Sequence, residues 1–124
     1  MPTVRDVMTT DLVTVSPNET VAQAATVMGR HRTGSALVME EEHLVGIFTE
    51  RDIVTALGTD FHAPSDPVAQ WMTKGPQTIA PDVDVDDALQ RMLSLGFRHF
   101  PVADGDKVLG VVSIRDLSKA RVEE

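Results

Sequence analysis

Two stretches of this sequence combine residue types suited to chemistry. Gly46-Ile47-Phe48-Thr49-Glu50-Arg51-Asp52 and Gly110-Val111-Val112-Ser113-Ile114-Arg115-Asp116 share the pattern Gly-h-h-[Ser/Thr]-x-Arg-Asp, where h is apolar. In both, an apolar run of strand character gives way to helix-forming residues, so the hydroxyl falls at a strand-to-helix turn. Thr49 and Ser113 are natural N-caps, and Asp52 and Asp116 lie three residues on, in the first helical turn. A carboxylate there can accept two hydroxyl hydrogen bonds, which suits the vicinal diol of a ribose. The hydroxyl, the unpaired N–H groups of the helix start and the arginine suit phosphate. The plain alternative is local, because Ser/Thr-x-x-Asp is itself a capping box and acidic residues favour a helix N-terminus whether or not they bind anything. Two features weigh toward a ligand. The Arg-Asp pair recurs in both stretches although capping needs no arginine, and each copy follows an apolar strand, where ligand crevices tend to form.

The remaining candidates have simpler readings. His31, His43, His62 and His99 lack metal-ligand spacing. Arg30-His31-Arg32 suits the negative end of a helix dipole, and Asp82, Asp84, Asp86 and Asp87 suit the positive end of another. Met28 and Met92 lie on apolar stripes and are expected in the core, and Trp71 is expected in packing or a dimer contact. No Ser-His-Asp or Cys-His set has a recognisable context. The reading is therefore of a chain with no catalytic residues and no metal site.

The elements that must position the two turns follow from a duplication. With a shift of 64 residues and no gap, Val4 meets Val68, Met8-Thr9 meets Met72-Thr73, Pro17 meets Pro81, Ala24 meets Ala88, Met28 meets Met92 and Arg51-Asp52 meets Arg115-Asp116. Each repeat reads as β-α-β-β-α. A short strand (12–15, 77–79) ends at Pro17 or Pro81. A helix follows, opened in repeat one by the capping box Thr20-x-x-Gln23 and in repeat two by Asp84 as N-cap. Two strands come next (36–39 with 44–48, 100–103 with 108–112), then a closing helix (50–57, 114–121). The spacing predicts repeat one over 1–58, a linker over 59–66 that holds Pro64 and is flanked by Gly58 and Pro67, and repeat two over 67–124. The fold class is α/β, in the α+β sense, with the repeats packed sheet to sheet about a pseudo-twofold axis, because the strands around Gly46 and Gly110 read as buried on both faces.

Composition narrows the class. The 124 residues suffice for one cored module, and 42% apolar with 24% charged residues is ordinary for a globular chain. A net charge of −8, with four Phe, one Trp and no Tyr, disfavours nucleic acid as a partner. No apolar run approaches the roughly 20 residues of a membrane span, so no membrane partner is expected. The absence of cysteine fits a cytoplasmic setting.

Taken together the two-repeat layout, the paired turns, Val7-Met8-Thr9, Thr14-Val15-Ser16-Pro17, Thr78-Ile79-Ala80-Pro81 and Arg98-His99-Phe100-Pro101-Val102 resemble a pair of CBS domains, a Bateman module, of the stand-alone bacterial or archaeal kind. The resemblance covers nearly the whole chain. It implies a regulatory module that takes adenosine-containing ligands (AMP, ADP, ATP, NAD or S-adenosylmethionine) in clefts between the repeats. Asp52 and Asp116 match the family's ribose carboxylates. Thr49, Arg51, Ser113 and Arg115 match residues near ribose and phosphate, and Thr14, Val15, Ala36, Thr78, Ile79 and Pro101 match those around adenine. Arg98-His99 matches a phosphate-reaching basic pair, which by family analogy serves the Asp52 cleft. Repeat one departs from the pattern, with Gly34-Ser35 at that place. The implied ligand is an adenine nucleotide acting as regulator, with no cofactor required. The implied partners are a second copy of the chain, as a homodimer, and a protein effector. The rival reading is a structural dimer whose binding sites have lapsed.

Overall fold

The computed structural model describes residues 2–122 and resolves into two compact units, one built from residues 13–76 and the other from 2–12 with 77–122.

In the first unit, the strand β1 (Thr14–Val15) leads into the helix α2 (Val21–His31), which follows a short N-terminal helix α1 (Val4–Val7) of the other unit. The Thr20 box forms as its sequence predicts. Gln23 N–H donates to Thr20 Oγ1 at 3.1 Å, and Thr20 N–H donates to Gln23 Oε1 at 2.9 Å. Strands β2 (Ser35–Glu40) and β3 (His43–Thr49) form a tight antiparallel hairpin, and α3 (Glu50–Thr59) leaves directly from the end of β3. A turn of 3-10 helix (Ala63–Ser65), a short helix α4 (Val68–Trp71) and a short strand β4 (Thr73–Lys74) complete the unit. The sheet order is β1-β2-β3-β4, with β1 parallel to β2 and the other neighbours antiparallel. Val15, Val21, Ala24, Met28, Ala36, Val38, Phe48 and Val68 form its core, with Trp71 packed against them and its Nε1–H donating to Asp66 at 3.0 Å.

The second unit repeats the plan 64 residues on. Helix α5 (Val85–Leu95), the hairpin of β5 (His99–Asp104) and β6 (Lys107–Ser113), and α6 (Ile114–Val122) follow in order. Ile79 bridges Val102 in parallel, the counterpart of Val15 beside Val38. Both hairpins shift register at matching places, between Val38 and Met39 and between Val102 and Ala103. The core is Val4, Ile79, Val85, Ala88, Met92, Phe100, Val102, Val112 and Leu117.

One expectation is corrected. Asp84 occupies the N-cap of α5, but its side chain makes no capping hydrogen bond. Its backbone is instead engaged in a bridge with Thr3, which fixes the chain's entry into the helix. The compact units differ from the repeats in sequence, because the leading segments are exchanged. Val4 N–H donates to Val83 O at 2.9 Å and Val85 N–H to Pro2 O at 3.1 Å, so the first leader closes on the second body. The same bonds recur for the second leader on the first body, with Val68 N–H to Glu19 O at 2.7 Å and Val21 N–H to Asp66 O at 2.9 Å. Each leader also pairs with the edge of its host hairpin, as strand β4 through Thr73 with Ile47 and as a single bridge through Thr9 with Val111. Val4 and Val68, both fully buried, are the side chains that reward this arrangement.

Two glycines mark where the leaders cross. A Cβ at Gly110 would lie 2.6 Å from Thr9 O and 3.0 Å from Met8 Sδ, and one at Gly46 would lie 2.5 Å from Met72 Sδ and 3.0 Å from Thr73 O. The glycine that opens each turn motif therefore serves close backbone approach.

Candidate functional site

Both turns form as capping boxes at the mouth of a helix. Thr49 caps α3. Its N–H donates to Asp52 Oδ2 at 2.9 Å, its hydroxyl donates to the same oxygen at 3.1 Å, and Asp52 N–H donates back to Thr49 Oγ1 at 3.3 Å. In the other unit Ser113 N–H donates to Asp116 Oδ2 at 3.0 Å, and Asp116 N–H donates to Ser113 Oγ at 3.1 Å. The local reading of these residues is thus correct, and it does not exhaust them. In each box the capping bonds fall on Oδ2, so the second carboxylate oxygen lies outside the box. An aspartate held this way is oriented by the fold before any ligand arrives, which lowers the entropy cost of a second interaction.

Sheet register decides what surrounds each carboxylate. Thr49 stands opposite Ser35, Phe48 opposite Ala36, and Thr14 beside Leu37. Thr14, Ala36, Thr49, Arg51 and Asp52 therefore share the end of the sheet where β1 and β2 begin and β3 stops. Gly34 O accepts from Glu50 N–H at 3.0 Å and ties the start of β2 to the start of α3. The second unit has the same frame. Ser113 stands opposite His99, and Arg98 O accepts from Ile114 N–H at 2.8 Å.

The candidates divide by exposure. Thr14, Thr78, Arg51, Arg98 and Arg115 are exposed, and Thr49, Asp52, His99, Ser113 and Asp116 are half-buried. Val15, Ala36 and Ile79 belong to the two cores, and Pro101 is buried and gives its carbonyl to Ile79 N–H at 3.0 Å. For these four residues the side chain is structural. One polar residue at the same place stands in the sequence only as a departure from the basic pair and is not among the candidates. Ser35 is the buried polar residue opposite Thr49, with its N–H and C=O both bonded to Thr33 Oγ1 (3.4 and 3.2 Å). Its signal was its register with His99, which the repeat alignment already gives.

Electrostatics distinguish Asp52. Burial pushes its carboxyl pKa above the ordinary value, against the opposing pull of the Thr49 hydrogen bonds and the Arg51 charge. Because the folded-state pKa is raised, Asp52 favours folding fully at pH below its unfolded-state value, and this contribution is lost as pH rises through the folded-state value. At neutral pH the ionised carboxylate is therefore a small burden on the fold. Asp52→Asn is expected to melt no lower than the native protein at pH 7, with the difference between the two closing as pH falls through the raised folded-state value and closed by about pH 4. Thermal melts across that pH range check it, and a lower melting temperature for Asp52→Asn at pH 7 would contradict it.

Among the described residues no group of three or more His, Cys, Asp or Glu side chains is arranged to hold a metal ion, and no helix is long and apolar enough to cross a membrane.

Fold and turns together define a class: a duplicated β-α-β-β-α pair that carries one carboxylate-bearing capping turn per repeat. A family model for the CBS domain matches the chain twice, over residues 4–59 and 68–123. The chain belongs to the CBS-domain family. It is 42% identical over 123 residues to an uncharacterized 17.7 kDa protein from Acidianus ambivalens, covering 97% of this chain and 73% of that one. Among solved structures it is similar to the CBS-domain containing protein ATU1752 from Agrobacterium tumefaciens, with a TM-score of 0.90 at 32% identity over 96% of this chain and 92% of that one. It is also similar to the CBS domain pair of protein MJ0100 in complex with 5-methylthioadenosine and S-adenosyl-L-methionine. That likeness has a TM-score of 0.90 at 26% identity and covers 99% of this chain and 98% of that one.

Proposed function

We propose that this chain is a regulatory module that binds an adenosine-containing ligand at its capping turns and transmits occupancy to a protein effector. The observation that carries the reading is the pair of pre-oriented aspartates, Asp52 and Asp116, each with one oxygen engaged by the helix cap and the other outside it. That geometry suits two adjacent ribose hydroxyls. Arg51 and Arg115 would meet phosphate or carboxylate groups, with Arg98 and His99 adding charge on the second-repeat body. Thr14 and Thr78 would flank the base, which would lie against the backbone at Val15, Ala36, Ile79 and Pro101. The likeness to a CBS pair that holds two adenosine derivatives supports this ligand class, with AMP, ADP, ATP, NAD and S-adenosylmethionine as the compounds to compare. Binding would act by favouring one of two conformations, which requires the ligand to have different affinities for the two.

Titration calorimetry with those five compounds and 5-methylthioadenosine tests the reading. Removal of two hydroxyl hydrogen bonds to a charged acceptor should weaken binding about 10- to 100-fold in Asp52→Ala or Asp116→Ala. At 100 times its dissociation constant a true ligand adds about 2.7 kcal/mol, a melting rise of roughly 10 °C for a chain of this size. Because the Asp52 pKa is raised, affinity at that turn should fall on acidification, beginning above the ordinary carboxylate range. Failure of all six compounds to bind would overturn the reading.

A second reading, a structural dimer with lapsed sites, is favoured by one observation. Val54, Leu57 and Phe61 lie exposed along and just beyond α3, at 70%, 52% and 90%, where repeat two has the polar Ser118 and Arg121 at the first two places. A homodimer would cover these side chains. Sedimentation velocity of Phe61→Glu against the native protein measures it.

A further inference from the structure

Met8 and Met72 hold equivalent places in the two leaders, each just past a short helix that begins with the buried Val4 or Val68. Each side chain lies across the glycine of its host hairpin. A Cβ at Gly110 would meet Met8 Sδ at 3.0 Å and Met8 Cγ at 3.2 Å, and one at Gly46 would meet Met72 Sδ at 2.5 Å and Met72 Cγ at 3.0 Å. The thioethers thus fill the notches that the two glycines leave open. A leader carbonyl shares each notch, Thr9 O at 2.6 Å from the first point and Thr73 O at 3.0 Å from the second.

The methionines differ in what can reach them. Met28 and Met92 are core residues, 3% and 0% exposed. Met8 and Met72 are half-buried at the margins of the two cores. Met39, also half-buried, lies at the irregularity of β2, and Met1 is outside the described residues. The sequence has no cysteine, so thioethers are its only oxidisable sulfur. Packing alone asks no more than an apolar side chain of this volume, which leucine also supplies. Methionine adds a sulfur whose polarity can change.

We propose that Met8 and Met72 are a paired peroxide-oxidation site whose conversion to sulfoxide unlatches the leaders from their host hairpins. The thioether sulfur attacks one oxygen of hydrogen peroxide. The O–O bond breaks, an S–O bond forms, and the second oxygen leaves with both protons as water. Sulfur loses two electrons and the peroxide gains them. The product is a polar acceptor in a notch that supplies no donor for it, since the neighbouring Thr9 O is itself an acceptor and already takes Val111 N–H at 3.0 Å. Hydration then favours the side chain outside the notch. Met8 carries the larger effect. Its leader meets the hairpin edge through a single bridge, whereas that of Met72 has strand β4 and the bond from Trp71 Nε1–H to Asp66.

Graded hydrogen peroxide on the full chain, followed by peptide mass mapping and thermal melts, tests the assignment. Met8 and Met72 should each gain one oxygen about tenfold faster than Met28 and Met92. The melting temperature should fall by about 5–10 °C and recover after treatment with the two methionine sulfoxide reductases. Met8→Leu should remove more of that fall than Met72→Leu, and the double variant nearly all of it, while Met39→Leu removes none. Hydrogen exchange on the native sequence gives a readout that needs no variant: the Val111 amide should exchange about tenfold faster after oxidation. Oxidation of Met8 and Met72 no faster than that of the core methionines, an unchanged melt or Val111 exchange in the oxidised protein, or an equal fall in the double variant would overturn the proposal.

Discussion

Gly110→Ala is expected to lower the melting temperature by roughly 8–12 °C, and Gly46→Ala by about half as much. The two positions are equivalent by repeat, yet their surroundings differ in what can move. At Gly110 the added methyl meets Thr9 O at 2.6 Å. That carbonyl is part of a closed pair of hydrogen bonds, Thr9 N–H to Val111 O at 2.8 Å and Val111 N–H to Thr9 O at 3.0 Å, and it cannot retreat without breaking both. Overpacking against backbone costs about 2–3 kcal/mol. At Gly46 the nearest atom is Met72 Sδ, the far end of a flexible side chain that can change rotamer, and the carbonyl of Thr73 stands farther off at 3.0 Å. About 1 kcal/mol is expected there. Thermal melts of the two variants side by side decide the matter, and equal losses or the reverse order would mean that the leader at Thr9 yields more readily than its hydrogen bonds suggest.

Phe100→Ala and Phe48→Ala should each cost about 3–5 kcal/mol, a large share of the roughly 5–15 kcal/mol that holds a domain together. Both rings are essentially inaccessible, at 2% and 0%. Phe48 immediately precedes Thr49, and Phe100 stands opposite Val112, which precedes Ser113. The same side chains that fill the cores thus anchor the strand ends from which the capping turns depart. Phe100 also meets the exposed Phe97 edge to face, with centroids 6.1 Å apart and planes at 89°, a contact worth about 0.5–1.5 kcal/mol more. Phe100→Ala is therefore expected to be the more damaging of the two. Urea midpoints read the ranking.

The duplication and the element order were legible because a gap-free register of 64 residues constrains every position twice. The hairpins extend one residue beyond their expected ends on each side, and α3 runs two residues further, to Thr59, than the expected end at Leu57. The capping boxes at Thr20, Thr49 and Ser113 were readable because their physics is local, three residues wide. The exchange of leaders was not readable, and the reason is specific. Val4 and Val68, and Met8-Thr9 and Met72-Thr73, are the same residues, so either leader satisfies either body and no side chain records the choice. Gly46 and Gly110 were taken with the turn because they stand in its pattern, whereas their work is done across the sheet.

The traded leaders have a consequence for how such a chain can be divided. A polypeptide cut in the loop after α3 would leave each half holding the edge strand and buried valine that the other half needs, so neither half is a self-sufficient folding unit and the two should reassemble when mixed. Because the halves are interchangeable at these contacts, a lone 64-residue copy could meet the same contacts with a twin, through mutual strand donation. Fusion in tandem turns that bimolecular encounter into an intramolecular one, and the assembly becomes independent of concentration.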